Sequence, residues 1–264
     1  MRPALPYLIV ATFIAAGLFA WAAVIAPAEA EGPRTASASP TVTPSSAPLP
    51  RTAPDSRTPA AVRRALASVV RITGSAPQCA RQPEGTGFVY APEHVLTVAR
   101  AVAGVRRQLR VTSAGREYPA TVVRFDPVRD VAVLRVRGLP AKPLRFDPAG
   151  RTATRAFIPA LQDGEPTQPD PVQLRTRRIA ALSDIYDKQD TRREVLTATA
   201  RLAPTTQGAP LLSDRGQVYG LLFIPTSGRP RTVYATTPAQ LTALTEYARR
   251  TTRPAPTGPC LPTP

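Results

Sequence analysis

The sequence predicts an all-β domain of two six-stranded barrels closed by one carboxyl-terminal helix, set behind a membrane-directing amino terminus and a proline-rich spacer. Three observations carry this prediction. Short runs of Val, Ile, Leu, Thr and Phe recur between residues 65 and 235, with Gly, Pro and Asp between them. The 3.6-residue helical period is missing until the segment that opens at Thr237. The strands also fall into two sets of six, which favours a barrel pair among the architectures that regularly spaced strands permit.

At the amino terminus, Met1 and Arg2 precede an uncharged apolar run from Tyr7 to Ala26. As a helix this run is long enough to cross a bilayer, which takes about 20 residues, and it exceeds the apolar core of an ordinary secretory signal. A single-pass anchor with the bulk of the chain outside the cell is one reading. The other is a secreted protein, because Ala28-Glu29-Ala30 supplies a small-x-small triplet that a signal peptidase can cut. Both place everything after residue 30 outside the cytoplasm. Residues 31–60 are mostly Pro, Ala, Ser and Thr, too poor in large apolar side chains to bury a core, and read as a spacer. Residues 61–254 form the folded domain and residues 255–264 a tail carrying Cys260.

The first set of expected strands is residues 68–72, 86–90, 95–98, 108–112, 118–125 and 131–136; the second is residues 155–160, 172–180, 194–201, 210–212, 218–224 and 232–235. The helix follows, with Thr237 as cap, Pro238 at the first helical position and Leu241, Leu244 and Tyr247 on one face. The stretch from Gln162 to Pro171 has no legible pattern.

A formal charge of +16 points to an anionic neighbourhood, and an envelope polymer or lipid headgroup is a candidate partner. The Arg-Arg pairs are scattered, as compositional bias alone would scatter them. No zinc-ligand spacing, RNA-binding aromatic signature or long basic run supports nucleic acid, and no cofactor or metal motif is recognised. Two cysteines, Cys79 and Cys260, bracket most of the domain. Export favours a bridge between them over two separate buried thiols.

Four motifs occur in a fixed order. They are Gly85-Thr86-Gly87-Phe88-Val89, then Val95 to Val102 with Arg100 in it, then Phe125-Asp126 through Asp130 to Leu134, and lastly Pro204-Thr205-Thr206-Gln207-Gly208-Ala209-Pro210. Together they resemble the trypsin-like, chymotrypsin-fold serine proteases. The apolar amino terminus, Asp184-Ile185-Tyr186, Arg193-Glu194-Val195 and the flanking cysteines bring the chain near the actinobacterial membrane-anchored periplasmic type known as MarP. That type has several membrane helices where this chain has one apolar run, so the resemblance covers the protease domain and not the anchor.

The resemblance sets Arg100 where the family has its catalytic histidine, Asp130 at the aspartate and Gln207 at the nucleophilic serine. Hydrolysis by the triad needs an imidazole to take and return the serine proton. A guanidinium, with a pKa above about 12, has no lone pair to offer, and a carboxamide is a poor nucleophile. Thr205 and Ala209 stand where the oxyanion loop normally carries glycines, while Gly208 is kept; Thr206 sits beside Gln207 without a base. The sole histidine, His94, is expected on an exposed turn, and Ser213 and Ser227 lie outside any nucleophile motif.

The implied protein is a catalytically inactive protease homologue that binds a peptide or protein in the former substrate cleft, or regulates an active protease. The alternatives are an endopeptidase with a non-standard nucleophile and a basic scaffold on lipid or wall polymer. Arg100 is expected to pair bidentately with Asp130, so that removing Arg100 alone costs more stability than removing both.

Overall fold

The computed structural model describes residues 58–225 and 231–262. The apolar run, the Ala28-Glu29-Ala30 triplet and the spacer up to residue 57 lie outside them, as does Ser227. No helix among the described residues is long and apolar enough to cross a membrane.

A short helix α1 (Ala60–Ala65) opens the domain and buries Val62 and Ala65, an element the composition of the spacer hides. Seven strands follow: β1 (Val69–Ser75), β2 (Glu84–Ala91), β3 (His94–Thr97), β4 (Arg107–Ser113), β5 (Arg116–Pro119), β6 (Thr121–Asp126) and β7 (Val131–Arg135). They form one antiparallel sheet in the order β5-β4-β1-β2-β3-β7-β6. The count exceeds the expected six because the run 118–125 is two strands. Pro119 has no N–H to offer a ladder, and the chain changes partner there, from β4 to β7.

The second set is β8 (Arg155–Ile158), the hairpin β9 (Leu161–Gln162) with β10 (Glu165–Pro166), β11 (Asp170–Ser183), β12 (Asp190–Thr199), β13 (Pro210–Leu212), β14 (Val218–Phe223) and β15 (Thr232–Thr236). Six of these close into a barrel in the order β11-β12-β15-β14-β13-β8. The small β9–β10 hairpin stands apart, in the stretch whose prolines and acids obscure any alternation.

Each sheet has its own apolar filling. Val70, Ile72, Val95, Val111 and Leu134 pack within the first, and Leu174, Leu196, Leu211 and Leu222 within the barrel. A third cluster joins them, with Phe88, Leu96 and Val133 from the first sheet against Phe157, Leu221 and Phe223 from the barrel. Burying a side chain of that size contributes about 1.5–3 kcal/mol.

Helix α2 (Pro238–Arg249) seals the joint with Leu241 and Leu244, but Tyr247, expected on the same face, is 59% exposed. Thr245 and Ala248 take its place, because the inward face follows 3- and 4-residue steps and not a strict 3. Thr237 precedes the helix without capping it; its hydroxyl donates to Glu194 Oε2 at 2.9 Å instead.

The tail runs back across the first sheet. Ala255 N–H donates to Val122 O at 2.8 Å, and Thr257 Oγ1 donates to Val105 O at 2.8 Å. Cys260 is disulfide-bonded to Cys79 across 181 residues of sequence.

Candidate functional site: a bridge of Arg100, Asp130 and Gln207 between the two sheets

Local chain geometry brings the motif residues together. Arg100 lies in a single 3-10 turn, Ala99–Ala101, that follows β3. Asp130, 1% exposed, sits just before β7 at φ 54°, a left-handed conformation that aspartate tolerates better than most side chains. Adjacent strands β3 and β7 therefore present the two residues to each other.

Arg100 Nε donates to Asp130 Oδ2 at 2.7 Å, and the Arg100 backbone N–H donates to Oδ1 at 3.0 Å. The pair thus forms without the two-nitrogen fork that the sequence suggests. One carboxylate oxygen is taken by the main chain, which leaves Arg100 Nη1 free to reach the other sheet, where it donates to Ile224 O at 2.9 Å.

Gln207 meets the same residue from its other side. It accepts the Ile224 N–H on Oε1 at 3.2 Å. Both main-chain polar groups of Ile224, just past β14, are therefore held by the side chains of Arg100 and Gln207.

The loop carrying Gln207 docks on β2. Thr86 N–H donates to Gln207 O at 3.0 Å, and Thr86 Oγ1 donates to Thr205 O at 2.7 Å. Gly208 closes the turn at φ 90°, and a Cβ there would lie 2.0 Å from Thr86 O, so only glycine fits. Pro204–Thr206 form a 3-10 turn that directs amides inward: Gln207 N–H donates to Pro204 O at 3.3 Å and Gly208 N–H to Leu222 O at 2.8 Å. Both amides are engaged within the protein. Thr205 is exposed, whereas Thr206 and Ala209 are buried.

The remaining candidates lie elsewhere. His94 is 9% exposed on the interior strand β3, with Nδ1 2.7 Å from Pro92 O, not on the exposed turn expected for it. Pairing of β3 on both sides explains the difference, since the strand starts at His94 and not after it. Ser213 is wholly buried, and its hydroxyl accepts the Gln217 N–H at 3.1 Å within a turn.

One residue escapes the sequence reading. Arg193 on β12 is 2% exposed, with its guanidinium carbon 4.8 Å from the Phe223 ring centroid and its Nε and Nη1 without partners among the described residues. Burial pulls its pKa below the ordinary arginine value, Asp130 opposes that shift, and Arg100 adds to it. The available signal is alternation: Arg193 shares parity with Val195 and Thr197, both of which are buried.

Asp130 thus has two arginines near it, which alters the stability expectation. With Arg100 removed, Arg193 remains as a nearby cation whose charge acts on the carboxylate, without an ion pair or hydrogen bond joining the two. The severe loss falls on removal of Asp130.

Two antiparallel sheets joined along one buried face, with a loop from the second meeting a turn from the first, define a chymotrypsin-like double barrel. The chain belongs to the trypsin-like peptidase domain family, whose model matches residues 85–221.

Among individual relatives, the serine protease Rv3671c of Mycobacterium tuberculosis, the MarP type, is 37% identical over 159 residues, 59% of this chain and 40% of that protein. The chain therefore spans well under half the length of this curated relative. The crystal structure of the Rv3671c protease in its active form superposes with a TM-score of 0.72 at 32% identity, covering 77% of this chain and 89% of that one. The HtrA-type protease AlgW, solved with a tripeptide, shares the fold at a TM-score of 0.60 and 21% identity, over 72% of this chain and 62% of that one.

Proposed function

We propose that this chain is a catalytically inactive trypsin-like peptidase homologue of the cell envelope, which holds a peptide or protein segment in the former substrate cleft or regulates an active protease. The observation that carries the reading is the locked Arg100, bonded at 2.7 Å to Asp130 and at 2.9 Å to Ile224 O. A residue that is permanently charged and hydrogen-bonded at both ends accepts no proton, and Gln207 beside it offers no ionisable oxygen. The inward-turned amide of Gln207 removes one of the two main-chain donors that a tetrahedral intermediate needs.

What remains is a binding surface. The backbone past β14 lies where an extended peptide adds to the sheet in this family, and a ligand pairing with Ile224 O displaces the Arg100 contact. The likeness in fold to an HtrA-type protease solved with a tripeptide supports a cleft that holds peptide. Residues 7–26 tether the domain to the membrane in this reading, or direct its secretion when cut near Ala30, and residues 31–60 hold it away from the bilayer.

Incubating the purified domain with a randomised peptide library and analysing bound and unbound fractions by mass spectrometry tests the proposal. Peptides retained at full length are expected. New termini accumulating with time in proportion to protein concentration would refute it.

A further inference from the structure

The face of the barrel formed by β11, β12 and β15 carries an open groove of about 280 Å³, bordered by Arg175 and Arg178, with the hydroxyls of Thr199 and Thr232 and the Tyr234 ring along it. Thr176 and Thr197 also line it, and their hydroxyls bond to each other at 2.7 Å. On a regular strand, residues three apart point to opposite faces. The register shift between Leu174 and Thr176 breaks that rule and brings Arg175 to the same groove as Arg178.

Arg177, between them in sequence, provides the contrast. Its Nε and Nη2 donate to the two oxygens of Glu194 at 3.0 Å each, and its Nη1 donates to Pro148 O at 2.8 Å. Arg175 and Arg178 enter no ion pair or side-chain hydrogen bond among the described residues, and no described carboxylate lines the groove. Two exposed guanidinium groups on one groove with no carboxylate lining it make the groove electropositive, and an anion bound there is attracted by both. Flat N–H forks with hydroxyl donors nearby match a carboxylate, whereas a cation or an apolar chain would leave every donor unmatched.

One lining residue, Tyr234, connects the groove toward the site described above. Tyr234 packs on Phe223 with ring centroids 5.8 Å apart, and the next residue, Ile224, is the one held by Arg100 and Gln207. We infer that this groove receives an acidic side chain of the peptide held in the cleft, so that the domain selects ligands carrying Asp or Glu at one position. The inference rests on the peptide-binding reading and names its ligand class.

The test passes a randomised peptide library at physiological salt over three immobilised forms: the unaltered chain, Arg175→Gln/Arg178→Gln, and Arg106→Gln/Arg107→Gln as a control for net charge. Expected is enrichment of Asp and Glu by about tenfold at one position, the equivalent of about 1.4 kcal/mol. That enrichment should vanish in the groove variant and persist in the control. Peptides retained with no acidic preference, or a preference surviving in the groove variant, overturn the groove while the cleft reading stands. No retention by any form overturns both.

Discussion

Replacing Cys260 with serine is expected to lower the unfolding free energy by about 4–5 kcal/mol, because the bridge to Cys79 closes a loop whose denatured-state entropy is correspondingly large on the chain-entropy model. The native state limits the loss on its own side. Thr257, Ala255 and Tyr186 bond the tail to the sheet, with Tyr186 Oη donating to Pro259 O at 3.3 Å, so the tail keeps its place when the clamp is cut. Urea titration of the unaltered chain and the variant, each with and without reductant, checks this. The unaltered chain should fall to the level of the variant on reduction, and the variant should not respond.

Asp130→Asn should cost about 3–5 kcal/mol, the range for removing one partner of a buried charge pair. Asparagine keeps the shape and tolerates the left-handed backbone, so the loss reports charge and not strain. The change leaves the mostly buried Arg100 and the buried Arg193 without the carboxylate whose charge acts on both. Arg100→Ala, by contrast, leaves one arginine and one aspartate. The predicted order of destabilisation is Asp130→Asn first, the double variant next and Arg100→Ala last, read from urea midpoints. The sequence alone suggests another order, in which Arg100→Ala exceeds the double variant; Arg193 is the reason it changes. Arg193 is a positioning residue here: Arg193→Met should abolish the extra cost of Asp130→Asn, whereas a merely structural arginine would add to it.

Much of the fold is legible in the sequence because strand signals are local. All twelve expected strands are present, within a few residues of their expected ends except where one proves to be two, since apolar alternation and turn residues act over short distances. Pro119 marks the break between β5 and β6, yet a proline within an apolar run reads as easily as an edge position. The motif residues are brought together: Arg100 and Gln207 meet at Ile224, and Asp130 joins them through Arg100.

What the sequence conceals depends on partners distant along the chain. Ile224 has no motif of its own, and its role arises from contacts with residues 124 and 17 positions away. Arg193 resembles any member of a scattered Arg-Arg pair until β12 is paired and its parity fixed. His94 reads as a turn residue because Pro92 and Glu93 precede it, and only pairing with both β2 and β7 reveals an interior strand position.

The central claim is that no group in this domain can activate an attacking oxygen. Treating the purified domain with a fluorophosphonate and measuring intact mass, beside Arg100→His/Gln207→Ser, tests it most directly. The account predicts no adduct on the unaltered chain and a single adduct at position 207 of the double variant. A stoichiometric adduct on any side chain of the unaltered domain would contradict it.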